Sequence, residues 1–197
     1  MRLAINIILL LIAAGLAYLL YQGIQEPIKF NAEKERRKEI VVAKLEKIRE
    51  AQEMYRGITG EFAPNFDTLA EVLRNGKFTL IAVIGDPDDP GFTGEIIYDT
   101  TYVPAIDSVQ TVGIDLDDLR YVPAFEDTEA GQEFQIAADI IEYQSTDVPV
   151  VEVGTRWSTF MGKYASPRFK KYDQKYDPNA MLKFGDLNKP NLSGNWE

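Results

Sequence analysis

Six aspartates in two tight groups come nearest to a chemical site: Asp86, Asp88 and Asp89 in a Pro/Gly loop, and Asp115, Asp117 and Asp118 ahead of an apolar segment. Hard cations such as Ca²⁺ take about six to eight oxygens, so two such loops brought together would supply a ligand set. Neither group has the spaced Asp/Asn–Gly–Glu pattern of an EF-hand loop. Aspartate is also an ordinary residue for starting turns. Solvated loops are the stronger reading, and no metal site is assigned. Nucleophilic chemistry has less to work with. Histidine and cysteine are both missing, which removes thiolate zinc sites, cysteine nucleophiles and imidazole-dependent triads. The five serines, Ser108, Ser145, Ser158, Ser166 and Ser193, lie in no nucleophile elbow and no Ser-x-x-Lys motif. The expectation is a protein that is not an enzyme and needs no cofactor.

A third group is made of cations interleaved with aromatics: Arg156 and Trp157, then Arg168, Phe169, Lys170, Lys171 and Tyr172. Such interleaving can stack bases or grip an anionic polymer. Charge decides against nucleic acid. The chain carries a net −10, and residues 57–155 alone hold three cations against twenty anions. A body that acidic repels phosphate. Docking of the basic segment on its own chain is the leading reading, with contacts to a partner protein next.

The elements that position these groups follow from composition and spacing. The chain has 197 residues, 45% of them hydrophobic and 26% charged, which suits one folded domain with an appendage. Leu3 to Tyr21 is an uncharged run of nineteen residues. As a helix it is about 28 Å long, close to the hydrocarbon thickness of a bilayer. The run ends in Leu19-Leu20-Tyr21, bulky where a signal peptidase needs small side chains. An uncleaved single-pass anchor in membrane lipid is therefore expected, bounded by Leu3 and Tyr21. Orientation is in conflict: Lys29, Lys34, Arg36, Arg37 and Lys38 follow the span and only Arg2 precedes it. That count places the body in the cytoplasm.

Gly23 and Pro27 predict a break, with Asn31 capping a new helix that runs to about Arg56. Within it Val41, Leu45, Ile48, Gln52 and Tyr55 are spaced 4, 3, 4 and 3 residues apart, a single stripe. The stripe is either a packing face for the rest of the chain or an oligomer seam, and two heptads are short for a coiled coil. A brief helix around Phe66–Leu73, capped by Asn65 or Asp67, precedes short strands at 77–84, 95–103, 119–122, 133–141 and 148–153. The fold class is α+β. Four segments result: an anchor (1–25), a membrane-proximal amphipathic helix (26–56), an acidic α+β body (57–155) and an irregular basic, aromatic tail (156–197).

Residues 41–73 resemble type IV pilin-like proteins, especially the major pseudopilins of type II secretion. The residues that carry this are Lys47 to Tyr55, Gly60-Glu61-Phe62, then Phe66, Leu69 and Leu73. The resemblance implies a small antiparallel sheet against the helix. MRLAINIILL has neither the prepilin-peptidase site nor its downstream Glu. Over most of its length the chain also resembles an uncharacterised family of single-pass envelope proteins of Bacteroidota. Glu26-Pro27, Phe30-Asn31, Phe66 to Leu69, Leu119 to Pro123 and the closing Gly194-Asn195-Trp196-Glu197 carry that likeness. It implies a bacterial inner-membrane protein with its body outside the cytoplasm and envelope protein partners or self-association. The functional expectation is a scaffold or assembly subunit of an envelope complex. The alternative is an envelope module that binds a ligand or calcium through the acidic loops.

Overall fold

The computed structural model describes residues 2–84 and 97–197. One helix organises it: α1, Arg2–Thr59, runs for 58 residues, about 87 Å at 1.5 Å per residue. Its two halves meet different surroundings. From Ile5 to Ile28 the large apolar side chains are exposed, whereas Phe30, Val41, Leu45, Ile48, Ala51 and Tyr55 are buried. Among the described residues, this is the one helix long and apolar enough to cross a membrane.

The break expected at Gly23 and Pro27 does not occur, and Asn31 lies inside the helix rather than capping one. Proline removes one N–H and crowds the carbonyl four residues earlier. That carbonyl belongs to Gly23, an exposed residue without a side chain. The helix can absorb the clash there, and the packing that begins at Phe30 holds its continuation in line.

Gly60 at φ +85° turns the chain back, and α2 (Phe66–Asn75) lies against the distal half of α1. Its N-cap is Asn65, whose side chain accepts the Thr68 amide at 2.8 Å. Phe66, Leu69, Ala70 and Leu73 are buried there, each large side chain contributing about 1.5–3 kcal/mol by leaving water. Strands β1 (Lys77–Ile84) and β2 (Ile97–Pro104) then pair antiparallel as a sheet of two. The helix α3 (Ala105–Val112), not foreseen from the sequence, packs beside α2. Residues 119–122 form no strand; only an isolated bridge joins Tyr121 to Glu133.

The second sheet has three antiparallel strands: β3 (Gln135–Tyr143), β4 (Thr146–Arg156) and β5 (Met181–Gly185), in the order β3-β4-β5. β3 and β4 are joined by Gln144 and Ser145, both at positive φ, the sign that a two-residue type I′ turn requires. Val151 and Val153 of β4 with Leu182 and Phe184 of β5 close the core against α1.

The tail is not irregular. After β4 come α4 (Trp157–Met161), 3₁₀ turns at Gly162–Tyr164 and Pro167–Lys171, and then β5. Phe160, Met161, Tyr164, Phe169, Tyr176, Leu182 and Phe184 are buried within it. The anchor and the amphipathic helix are one element, and the tail is part of the body's core.

Candidate functional site

The stripe residues Val41, Leu45, Ile48, Gln52 and Tyr55 are all buried within the chain's own core. Gln52 shows why a polar residue belongs among them. Its amide donates to the Ala63 carbonyl at 3.0 Å and accepts the Ala63 N–H at 2.9 Å. The side chain thus satisfies both backbone groups of the extended connector that α1 covers.

Asp115, Asp117 and Asp118 are each engaged inside the chain. Asp115 accepts the amides of Asp117 and Asp118, Asp117 pairs with Arg74, and Asp118 pairs with Lys44. Asp86, Asp88 and Asp89 lie outside the described residues. Among the described residues, no cluster of three metal-ligating side chains is present.

Arg37 makes the most buried ion pairs, its side chain about 5% exposed. Its guanidinium donates to Glu33 at 3.1 Å, to the Phe160 carbonyl at 3.0 Å and to Asp127 at 2.7 Å, while lying 4.8 Å from the Phe125 ring centre. Asp127 also accepts the Lys163 amide at 3.0 Å. Gly162, at φ +53°, permits this approach, because a Cβ there would run into the Asp127 carboxylate. Burial pushes the Asp127 carboxyl up, but the Lys163 amide and the Arg37 guanidinium outweigh it and hold the group below its ordinary value. The network joins α1, the 120s loop and α4. Arg37 thus ties three segments together, and it also lines a cavity with Lys29, Arg36, Glu126 and Lys163.

The basic, aromatic segment docks on α1, but where its apolar half begins rather than on the acidic body. Phe169 stacks on Phe30 with centroids 4.9 Å apart and planes within 10°. The Tyr172 hydroxyl donates to Glu26. Arg168 reaches the same carboxylate at 3.2 Å, and Lys171 lies 3.6 Å from it. The Tyr172 hydroxyl, with Lys171 and Arg168 beside it, holds Glu26 below the usual carboxylate range. Phe169 is thus a core residue, whereas Arg168, Lys170 and Lys171 stay exposed. Arg156 is exposed at the end of β4 and Trp157 is half-buried, 5.9 Å from Tyr176. Tyr21 is exposed on the projecting part of α1, and the Leu3 backbone is helical.

Sequence reasoning found the strands β1 and β2 but missed what they form together. They are a two-stranded ribbon in contact with the body through Phe78 near its base, with Val103 opposite it half-buried. Directly opposed residues share a face, so Tyr102 and Thr79, Ile81 and Thr100, and Val83 and Tyr98 line one side. Tyr98 and Tyr102 are 65% and 64% exposed, and Ile81 is 60%. Leu80, on the opposite face, is 54% exposed. An isolated hairpin is marginal in water, and a long apolar edge strand is a template for pairing. The sequence did carry the signal: Leu80-Ile81-Ala82-Val83-Ile84 is apolar on both faces, the pattern of a strand covered on both sides. Compared with protein-family models, curated proteins and solved structures, the chain matches none.

Proposed function

We propose that this chain is a non-enzymatic, membrane-anchored scaffold or assembly subunit of a bacterial cell-envelope complex, and that the β1–β2 ribbon is its docking element. One observation carries the reading. Among the described residues, eight-residue strands with Leu80, Ile81, Val83, Tyr98 and Tyr102 in solvent leave apolar faces and edges without a paired strand, which a partner strand covers at low cost. The apolar first half of α1 supports the anchor. The helix places the ribbon, whose Phe78 packs at Gly57, about 54 Å from the end of the apolar run, where it can meet another envelope protein or a second copy. The pilin-like resemblance of residues 41–73 supports an assembly role, and the likeness to envelope proteins supports a periplasmic body at the inner membrane.

The test is a photo-crosslinking residue at position 81 of the full chain in cells, compared with one at Gln110 on α3. A discrete adduct at 81 alone supports the docking element, and its mass separates a second copy from another protein. Equal or absent crosslinking at the two positions rejects it.

A further inference from the structure

A cavity of about 560 Å³ lies where α1 leaves the body, between the helix and the strap formed by residues 164–172. Its walls differ in kind. Leu19, Gln22 and Gly23 form the side toward the apolar run, and Lys29, Lys171 and Tyr172 form the other. Leu3 to Glu26 contains no cation, so Lys29 and Lys171 are among the first positive charges met on leaving the apolar segment. Arg168 stands beside them. Glu26 is the acid on the wall, and its carboxylate is already engaged by the Tyr172 hydroxyl, Arg168 and Lys171. Three cations against one carboxylate leave the site positive.

Depth fixes what such a cavity meets. With the hydrocarbon boundary at Tyr21, Glu26 is five residues further along α1, about 7.5 Å. The headgroup layer is about 5–7.5 Å thick on each side of a bilayer. Glu26 therefore lies at its outer edge and Lys29 about 12 Å from Tyr21, its side chain leaning back toward the helix N-terminus, so the cavity spans the layer from Lys29 to Leu19.

We propose that this cavity binds the headgroup of an anionic phospholipid, with Lys29 and Lys171 on its phosphate and its acyl chains running along Leu19. The apolar wall selects a lipid over free phosphate, because a soluble anion gains nothing from Leu19. The size fits: cavities that hold small molecules run from about 300 to 1,000 Å³. Basic residues next to a span draw anionic lipid by charge, and the strap's packing through Phe30 and Phe169 presents them without ordering cost. The site deepens the membrane-anchored reading and rests on it.

The experiment uses the full chain. It is reconstituted into vesicles and washed with alkaline carbonate, then taken in detergent for native mass spectrometry with phosphatidylglycerol or phosphatidylcholine. We expect retention in the vesicles and a preference for phosphatidylglycerol of about thirtyfold, the size expected from two surface cations. The Lys29→Gln, Lys171→Gln double variant loses the preference at unchanged melting temperature, and the Lys29→Arg, Lys171→Arg variant keeps it. Millimolar inorganic phosphate leaves the lipid bound. Release by carbonate overturns the anchor and the site together. Retention with equal binding of the two lipids, with a preference that survives the Gln variant, or with displacement by phosphate overturns the site alone.

Discussion

Phe30 and Phe169 are 139 residues apart in sequence and stack face to face at 4.9 Å. The pair locks the last buried turn of the projecting helix to the C-terminal segment. Tyr164, Tyr172 and Tyr176 surround it, with ring centres 5.9, 6.2 and 5.1 Å from Phe30. Where the body stops and the apolar half of α1 begins is set by this cluster.

Phe169→Ala should accordingly cost about 3–5 kcal/mol, the usual loss for emptying a buried phenylalanine site. At roughly 2–4 °C per kcal/mol for a chain of this size, thermal unfolding in detergent should move down by about 6–20 °C. A change of under 2 °C or so would mean that the strap is not part of the core.

The Arg37 network gives a pH dependence with a definite sign. Asp127, Glu33 and Asp173 are all held below their ordinary values, Glu33 by Arg36 and Arg37 and Asp173 by Lys34. A carboxyl with a depressed folded pKa adds stability in full above its unfolded pKa, near 4, and loses it as the pH falls through the folded value. The melting temperature should hold steady from about pH 5 to pH 8 and drop below about pH 4. Asp127→Asn should cost about 1.5–3 kcal/mol at pH 7, the worth of a hydrogen bond to a charge, and should flatten the acid drop. An acid drop unaltered in that variant would show that the network is not its source.

Much of the helical scaffold was legible in the sequence, for local reasons. The stripe from Val41 to Tyr55 has a period that no strand can use, and Asn65 carries its own capping chemistry. β1 was readable from end to end because Asn75-Gly76 stops α2 and a β-rich run follows. Two other features are decided by partners distant in sequence. Pro27 and Gly23 read locally as a break, yet a helix held at Phe30 by the strap continues through them. The strap buries Tyr164 and Phe169 from short 3₁₀ turns, and Tyr176 follows from an irregular stretch beyond it, at intervals of five and seven that together match neither a helical nor a strand period. Its aromatics read as docking on the chain's own acidic body, and they pack instead into the core around Phe30.

Orientation is open to direct measurement. The proposed periplasmic body rests on the envelope resemblance and runs against the count of Lys and Arg near the apolar run. Protease added to spheroplasts should cut the body without lysis. Full protection of residues 60–197 until lysis would place it inside and support the charge count.

Calcium should produce no specific stabilisation, since Asp117 and Asp118 already neutralise Arg74 and Lys44. A true site at 100 times its dissociation constant would add about 2.7 kcal/mol, several degrees in a thermal scan. A rise seen with millimolar Ca²⁺ but not Mg²⁺, and lost on changing Asp115, Asp117 and Asp118 to Asn, would favour the ion-binding alternative.

The central claim is that the ribbon joins this anchored chain to a partner, and purification of the intact protein in mild detergent tests it most directly. A stoichiometric partner, a second copy or another protein, should accompany the natural chain and be lost from an Ile81→Lys, Tyr98→Lys variant that melts at the same temperature. A chain that runs as a lone monomer, or a partner that stays with the variant, would contradict the account.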